Sequence, residues 1–109
     1  MELTVFERAN LLSILPREGN FKTLKTVRKL RESLALSEDE VRRWEPKVDD
    51  KGVMTWRTTT EDGTPIKQEA EIDISELGQE VILTVLKKLD GENRLKEDHF
   101  TLFEKFSGK

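Results

Sequence analysis

The apolar residues of this chain recur in blocks with different periods, and the periods predict the elements. Val5, Ala9, Leu12 and Leu15 are spaced by three and four, which places them on one face of an α-helix. Thr4-Val5-Phe6-Glu7 fits a capping box, in which the Thr side chain accepts from the backbone three residues on and Glu7 reaches back. A helix is therefore expected from Thr4 to about Leu15, stopped at Pro16. Phe6, Leu11 and Ile14 fall outside its stripe, more apolar arc than one core face requires, so this helix is either deeply buried or shared with a partner.

Leu24, Val27, Leu30 and Leu34 mark one face of a second helix over Phe21 to Leu34, with Lys22, Lys25, Arg28 and Lys29 on the opposite face. Ser37-Glu38-Asp39-Glu40 is another capping box and opens a short helix that ends at Trp44, before Pro46. The pattern then changes. Val53 to Thr60 is rich in β-branched and aromatic residues, and Pro65 to Ile72 alternates Ile66, Gln68, Ala70 and Ile72 against charged positions. Asp62-Gly63 between them is a tight-turn signal. Pro65 lacks a backbone donor and suits the start of a strand. The helical period returns from Ser75 to about Leu89, with Leu77, Val81, Val85 and Leu89 as a stripe that Ile82, Leu83 and Leu86 widen. A last helix, about Glu97 to Phe106, aligns His99, Leu102, Phe103 and Phe106.

These elements predict an α+β fold: three N-terminal helices, an antiparallel β-hairpin and two C-terminal helices around one core. A lone hairpin is marginal in water, so its Ile66, Ala70 and Ile72 face is expected to cover the helices. At 109 residues two independent cores are hard to fill, and a single domain over 1–109 is expected.

Composition narrows the chemistry. Apolar residues make up 35% and charged residues 38%, but the apolar ones are grouped in faces that can be buried, which argues against disorder of the whole chain. The absence of cysteine removes disulfides, thiol catalysis and sulfur-ligated metals. The N-terminus has neither the basic start nor the apolar run of a signal peptide, and no stretch approaches the roughly 20 apolar residues that span a bilayer. A cytoplasmic protein with no membrane partner is expected.

Charge is uneven along the chain. Arg17 to Arg31 holds six basic residues against Glu18 alone, whereas Glu61 to Glu80 holds seven acids against Lys67 alone. The face made by Lys22, Lys25, Arg28 and Lys29 could meet phosphate or an acidic partner, or simply be solvated. Helices followed by a hairpin suggest a winged helix, with Arg42, Arg43 and Arg57 on DNA. Glu38, Asp39 and Glu40 would then sit where bases are read, and Glu61 and Asp62 at the wing tip. Those carboxylates and the net charge of −3 oppose that reading.

No reacting constellation emerges. His99 is the only histidine, without a Ser, Cys or second His at triad spacing, and its helical phase makes it a packed or boundary residue. The carboxylates lack the spacing of a calcium loop, and isolated Gly63, Gly78 and Gly91 build no phosphate loop. No enzyme, catalytic residue, metal, cofactor or small-molecule substrate is expected. Trp44 and Trp56 are each either core anchors or, if exposed, partner anchors. Phe6, Leu11, Ile14 and Trp56 form the candidate protein interface.

Phe6-Glu7-Arg8, then Ile14-Leu15-Pro16-Arg17-Glu18-Gly19-Asn20-Phe21, and later Val85-Leu86-Lys87-Lys88-Leu89-Asp90 and Leu102-Phe103-Glu104-Lys105-Phe106 resemble small proteins encoded by bacteriophages and prophages, a group without an assigned function. The resemblance covers both ends, roughly half of the chain, and not the hairpin. It implies a phage or bacterial setting and carries over no site residue. The sequence thus leads to a non-enzymatic protein–protein interaction module, a phage or prophage protein acting as a homo-oligomer or on a host or virion protein. The alternative is a winged-helix-like nucleic-acid binder using the Lys22, Lys25, Arg28 and Lys29 face.

Overall fold

The computed structural model describes residues 1–108. In chain order it contains β1 (Glu2–Thr4), α1 (Val5–Ile14), α2 (Phe21–Leu34), α3 (Glu38–Trp44), β2 (Lys47–Val48), β3 (Met54–Thr55), β4 (Glu69–Glu71), α4 (Glu76–Gly91), a 3-10 turn (Glu97–His99) and α5 (Phe100–Ser107). The class is α+β. The chain divides into two compact units: Met1–Ala35 with the chain from Ala70 onward, and Leu36–Glu69.

Local chemistry accounts for the helix starts. Thr4 Oγ1 accepts from Glu7 N at 3.0 Å while Glu7 Oε1 accepts from Thr4 N at 3.0 Å. Ser37 and Glu40 repeat the exchange at α3. Asn20 caps α2 through Thr23 N at 2.8 Å, and Ser75 caps α4 through Gly78 N at 3.1 Å. Each such cap satisfies backbone donors that a helix start leaves open and contributes about 1 kcal/mol.

In the first unit, Leu3 of β1, Leu11 and Leu15, Val27, Leu30 and Leu34 of α2, Ile72 and Ile74, Ile82 and Leu86 of α4, and Leu102 and Phe106 of α5 form the hydrophobic core. The buried line of α4 is Gly78, Ile82 and Leu86, one residue away from the stripe expected from the sequence. Leu77 is instead 49% exposed. The reason is Gly78, whose missing side chain lets Leu30 of α2 close on the helix. On α1 the buried arc is wider than the expected stripe: Val5 and Leu15 are buried as expected. Leu11, expected outside the core stripe, is fully buried, and Glu7 and Arg8 are buried too.

The strands differ from the expected hairpin. Met54 and Thr55 pair antiparallel with Val48 and Lys47, not with the segment after Asp62-Gly63. Asp49 makes this turn: its carboxylate accepts from Lys51 N and Val53 N, each at 2.9 Å, and Gly52 takes φ 82°. The Asp62-Gly63 turn also forms, but beyond it lies only one bridge, Thr59 with Pro65, supported by Ile66 N donating to Thr58 O at 2.8 Å. The far end of the expected second strand, β4, joins β1 in a separate two-stranded sheet. Met1 and Ile72 exchange both backbone hydrogen bonds beside it, at 2.8 and 3.0 Å.

Candidate functional site

The basic face of α2 is built as the sequence suggests. Lys22, Lys25, Arg28 and Lys29 are all exposed, and among the described residues none has an acidic partner within ion-pair distance. Helix energetics do not explain the placement of Lys22. Lys22 lies in the first turn of α2, which holds no acid and where the helix dipole disfavours a cation by some 0.3–1 kcal/mol.

The face is not purely charged. Phe21, the first residue of α2, is 82% exposed, and Leu24 is 38% exposed. Together they line a shallow depression with Lys25, Arg28, Lys29 and Glu32. A phenyl ring left in water among cations forfeits roughly 1.5–3 kcal/mol of available burial. Its position was readable in advance: at 100° per residue, Phe21 points away from Val27, Leu30 and Leu34. The arrangement can take an acidic, partly apolar surface.

The residues expected at a protein interface have different fates. Phe6 is 44% exposed. Leu11 lies in the core and offers no surface. Ile14 is half-buried against that core. In the second unit Trp56 is half-buried, and its indole N–H donates to Gln68 Oε1 at 2.6 Å. Trp44 is fully buried, its indole N–H donating to Lys67 O at 3.0 Å.

The arginines of the winged-helix reading are engaged locally. Arg42 pairs with Asp39 at 3.1 Å, Arg57 with Glu45 at 2.9 Å, and the Arg43 guanidinium sits 5.6 Å from the centroid of the Trp44 ring. At the turn tip Thr60 and Thr64 hydrogen-bond to Asp62 and hold its carboxyl down to about 2. The tip therefore carries a fixed negative charge at neutral pH, the wrong sign for phosphate.

Two buried charges had no signal in the hydrophobic pattern. The Arg8 guanidinium donates to Leu34 O at 3.1 Å and Ala35 O at 2.7 Å, terminal carbonyls of α2 that a cation suits. Glu7 accepts from Lys105 Nζ at 2.7 Å. Burial raises the Glu7 carboxyl, but hydrogen bonds from Lys105, Thr4 and Thr101 and the Lys105 charge outweigh it and leave the pKa below 4.5. Both charges are held by partners within the first unit.

His99 is buried, as are Leu102 and Phe106, in keeping with the packed position its phase predicts. Its Nδ1 accepts from Lys96 N at 3.2 Å. Burial, aided by the Lys96 charge and opposed by Asp98, lowers its pKa from 6.5. Among the described residues no group of His, Asp and Glu is placed to hold a metal ion, and no helix is long and apolar enough to cross a membrane. No protein-family model, curated protein or solved structure matches the chain.

Proposed function

We propose that the chain is a non-enzymatic protein–protein interaction module, and that α2 presents its binding surface. The observation that carries this reading is Phe21, an aromatic 82% exposed beside Leu24 and collared by three cations, Lys25, Arg28 and Lys29, against one acid, Glu32. Aromatic anchors within a polar rim are the usual source of binding energy at protein interfaces, and the collar selects an acidic partner. The resemblance of both chain ends to small phage and prophage proteins makes a host or virion protein, or a second copy of the chain, the partner.

Affinity capture from a bacterial host lysate, run in parallel with wild type and with Phe21→Ser and Lys25→Glu/Arg28→Glu variants, tests this. The expected result is one acidic protein retained by wild type and lost with both variants, or concentration-dependent self-association lost in the same way. Captured proteins that are identical for all three, with a monomer at every concentration, would overturn it. The second reading, nucleic-acid binding, is favoured by the four unpaired cations alone. It requires duplex or single-strand binding that weakens steeply with salt and survives Phe21→Ser.

A further inference from the structure

Within the first unit a cleft of about 440 Å3 lies among α1, α4 and the segment leading into α5. One wall is apolar, made by Ile14, Val85 and Leu89; the polar groups are Ser13, Arg94, Lys96 and His99. Among the described residues no carboxylate lines it. The Ser13 hydroxyl donates to Asn10 O at 2.7 Å, so the donors left for a ligand come from the other three.

His99 is the fixed member of the set. It is 6% exposed, and because Nδ1 accepts from the Lys96 backbone, the neutral ring carries its proton on Nε2, a donor. Lys96 has no acidic partner among the described residues. Arg94 is held only loosely, 3.7 Å from Glu92, with both side chains exposed. The Lys96 and Asp98 charges act on the imidazole in opposite directions. One buried imidazole and two cations without a close ion pair thus line a single apolar-walled cleft.

We infer that this cleft binds a phosphate monoester, its head among Arg94, Lys96 and the His99 Nε2–H, its short apolar substituent against Ile14, Val85 and Leu89. Three donors from separate residues suit a tetrahedral dianion better than a planar carboxylate, which offers two oxygens. The volume is within the range of small-molecule sites. This site is distinct from the α2 surface and stands or falls separately from the interaction reading.

The test is a titration of the isotope-labelled full chain with n-butyl phosphate at low ionic strength, followed by amide and imidazole NMR shifts. Saturable shifts at Lys96 and His99 in the millimolar range are expected. Inorganic phosphate should move the same signals about tenfold more weakly, because the butyl chain is lost, and 1-butanol should not move them at all. Arg94→Gln and Lys96→Gln should each weaken binding about three- to tenfold. Glu92→Gln should tighten it about two- to threefold by freeing Arg94, a gain that damage to the fold would not produce. The inference is overturned if the cleft signals stay still up to about 20 mM ester, some 20-fold above a Kd of about 1 mM. It is equally overturned if the shifts follow the α2 lysines instead, or if phosphate and its butyl ester bind alike.

Discussion

Lys105 Nζ lies 2.7 Å from Glu7 Oε1, an ion pair across 98 residues of sequence that joins α5 to the first turn of α1. The same ammonium donates to Glu2 O at 2.9 Å. The carboxylate is interior, with its side chain 5% exposed, whereas the Lys105 side chain is 36% exposed. Removing the lysine leaves a nearly buried charge with only its Thr partners. Partial solvation of Lys105 moderates the loss, so Lys105→Met is expected to cost about 1–2 kcal/mol at pH 7.

The pH dependence of that pair follows from the direction of the Glu7 shift. Its folded pKa lies below the ordinary 4.5, so its contribution is fully present above about pH 4.5 and is lost as pH falls through the folded value. Urea midpoints of wild type and Lys105→Met should therefore differ at pH 7 and draw together as Glu7 becomes protonated. A gap that stays constant down to about pH 2.5 would show that the lysine acts through packing alone.

Arg8 closes the C-terminal end of α2 from another helix, through Leu34 O and Ala35 O. Arg8→Met keeps the length of the stem but removes the guanidinium, leaving carbonyls unpaired inside the unit. The expected loss is about 2–4 kcal/mol. Arg8→Lys should recover part of it, because one compact ammonium cannot reproduce the planar fork. Hydrogen exchange gives a local readout: amides in the last turn of α2 should lose protection in both variants before the rest of the core does.

The features legible in the sequence are those set by neighbours in the chain. Both capping boxes formed as read, and α2 spans Phe21–Leu34 because its cap, its period and its end all lie within one short stretch. Strand pairing was not legible. β1 is three residues long with no period to detect, and its neighbour Ile72 is 71 positions from Met1. The interior places of Glu7 and Arg8 were hidden for a related reason. Charged residues beside an apolar stripe read as a solvent face, and the Arg8 acceptors are backbone carbonyls that no side-chain pattern announces. For the candidate surface the lysines are legible as a charged face, and the helical phase of Phe21 separates it from the core stripe. The His99 cleft needed the fold, since Ser13, Val85 and Arg94 come from three separate segments.

His99 gives the protein a second pH response, in a range where carboxylates are silent. Its folded pKa is lowered from 6.5, chiefly by burial, so the unfolded chain takes up the proton more readily than the native one. The stability that His99 contributes is complete above about pH 6.5 and is lost as pH falls from there to the folded pKa. Urea midpoints measured between about pH 7.5 and 5.5 should decline for wild type. His99→Gln, which cannot titrate, should lower stability at the upper end of that range and flatten the slope. A wild-type midpoint that is level across this range would contradict the assignment.

α4 contains two glycines with opposite expectations. Replacing glycine by alanine within a helix ordinarily gains about 1 kcal/mol, because alanine has less backbone freedom to lose. At Gly78 a Cβ would stand 2.8 Å from Leu30 Cδ2 and 3.1 Å from Ile74 Cγ2. Both neighbours are buried, at 3% and 7% exposure, so the crowding is taken up by core side chains with little room to turn. Overpacking of this kind costs about 1–3 kcal/mol, and Gly78→Ala should lower the thermal midpoint despite the better helix propensity. Gly91, in the last turn of α4, has no neighbour within 4 Å of where a Cβ would stand and no positive φ. Gly91→Ala should therefore raise the midpoint. Leu30→Val removes a methyl group from the crowded spot, so the double variant Gly78→Ala/Leu30→Val should lose less stability than the two single losses added together. If Gly78→Ala stabilised the protein as much as Gly91→Ala, the close approach of α2 to α4 at this glycine would be disproved.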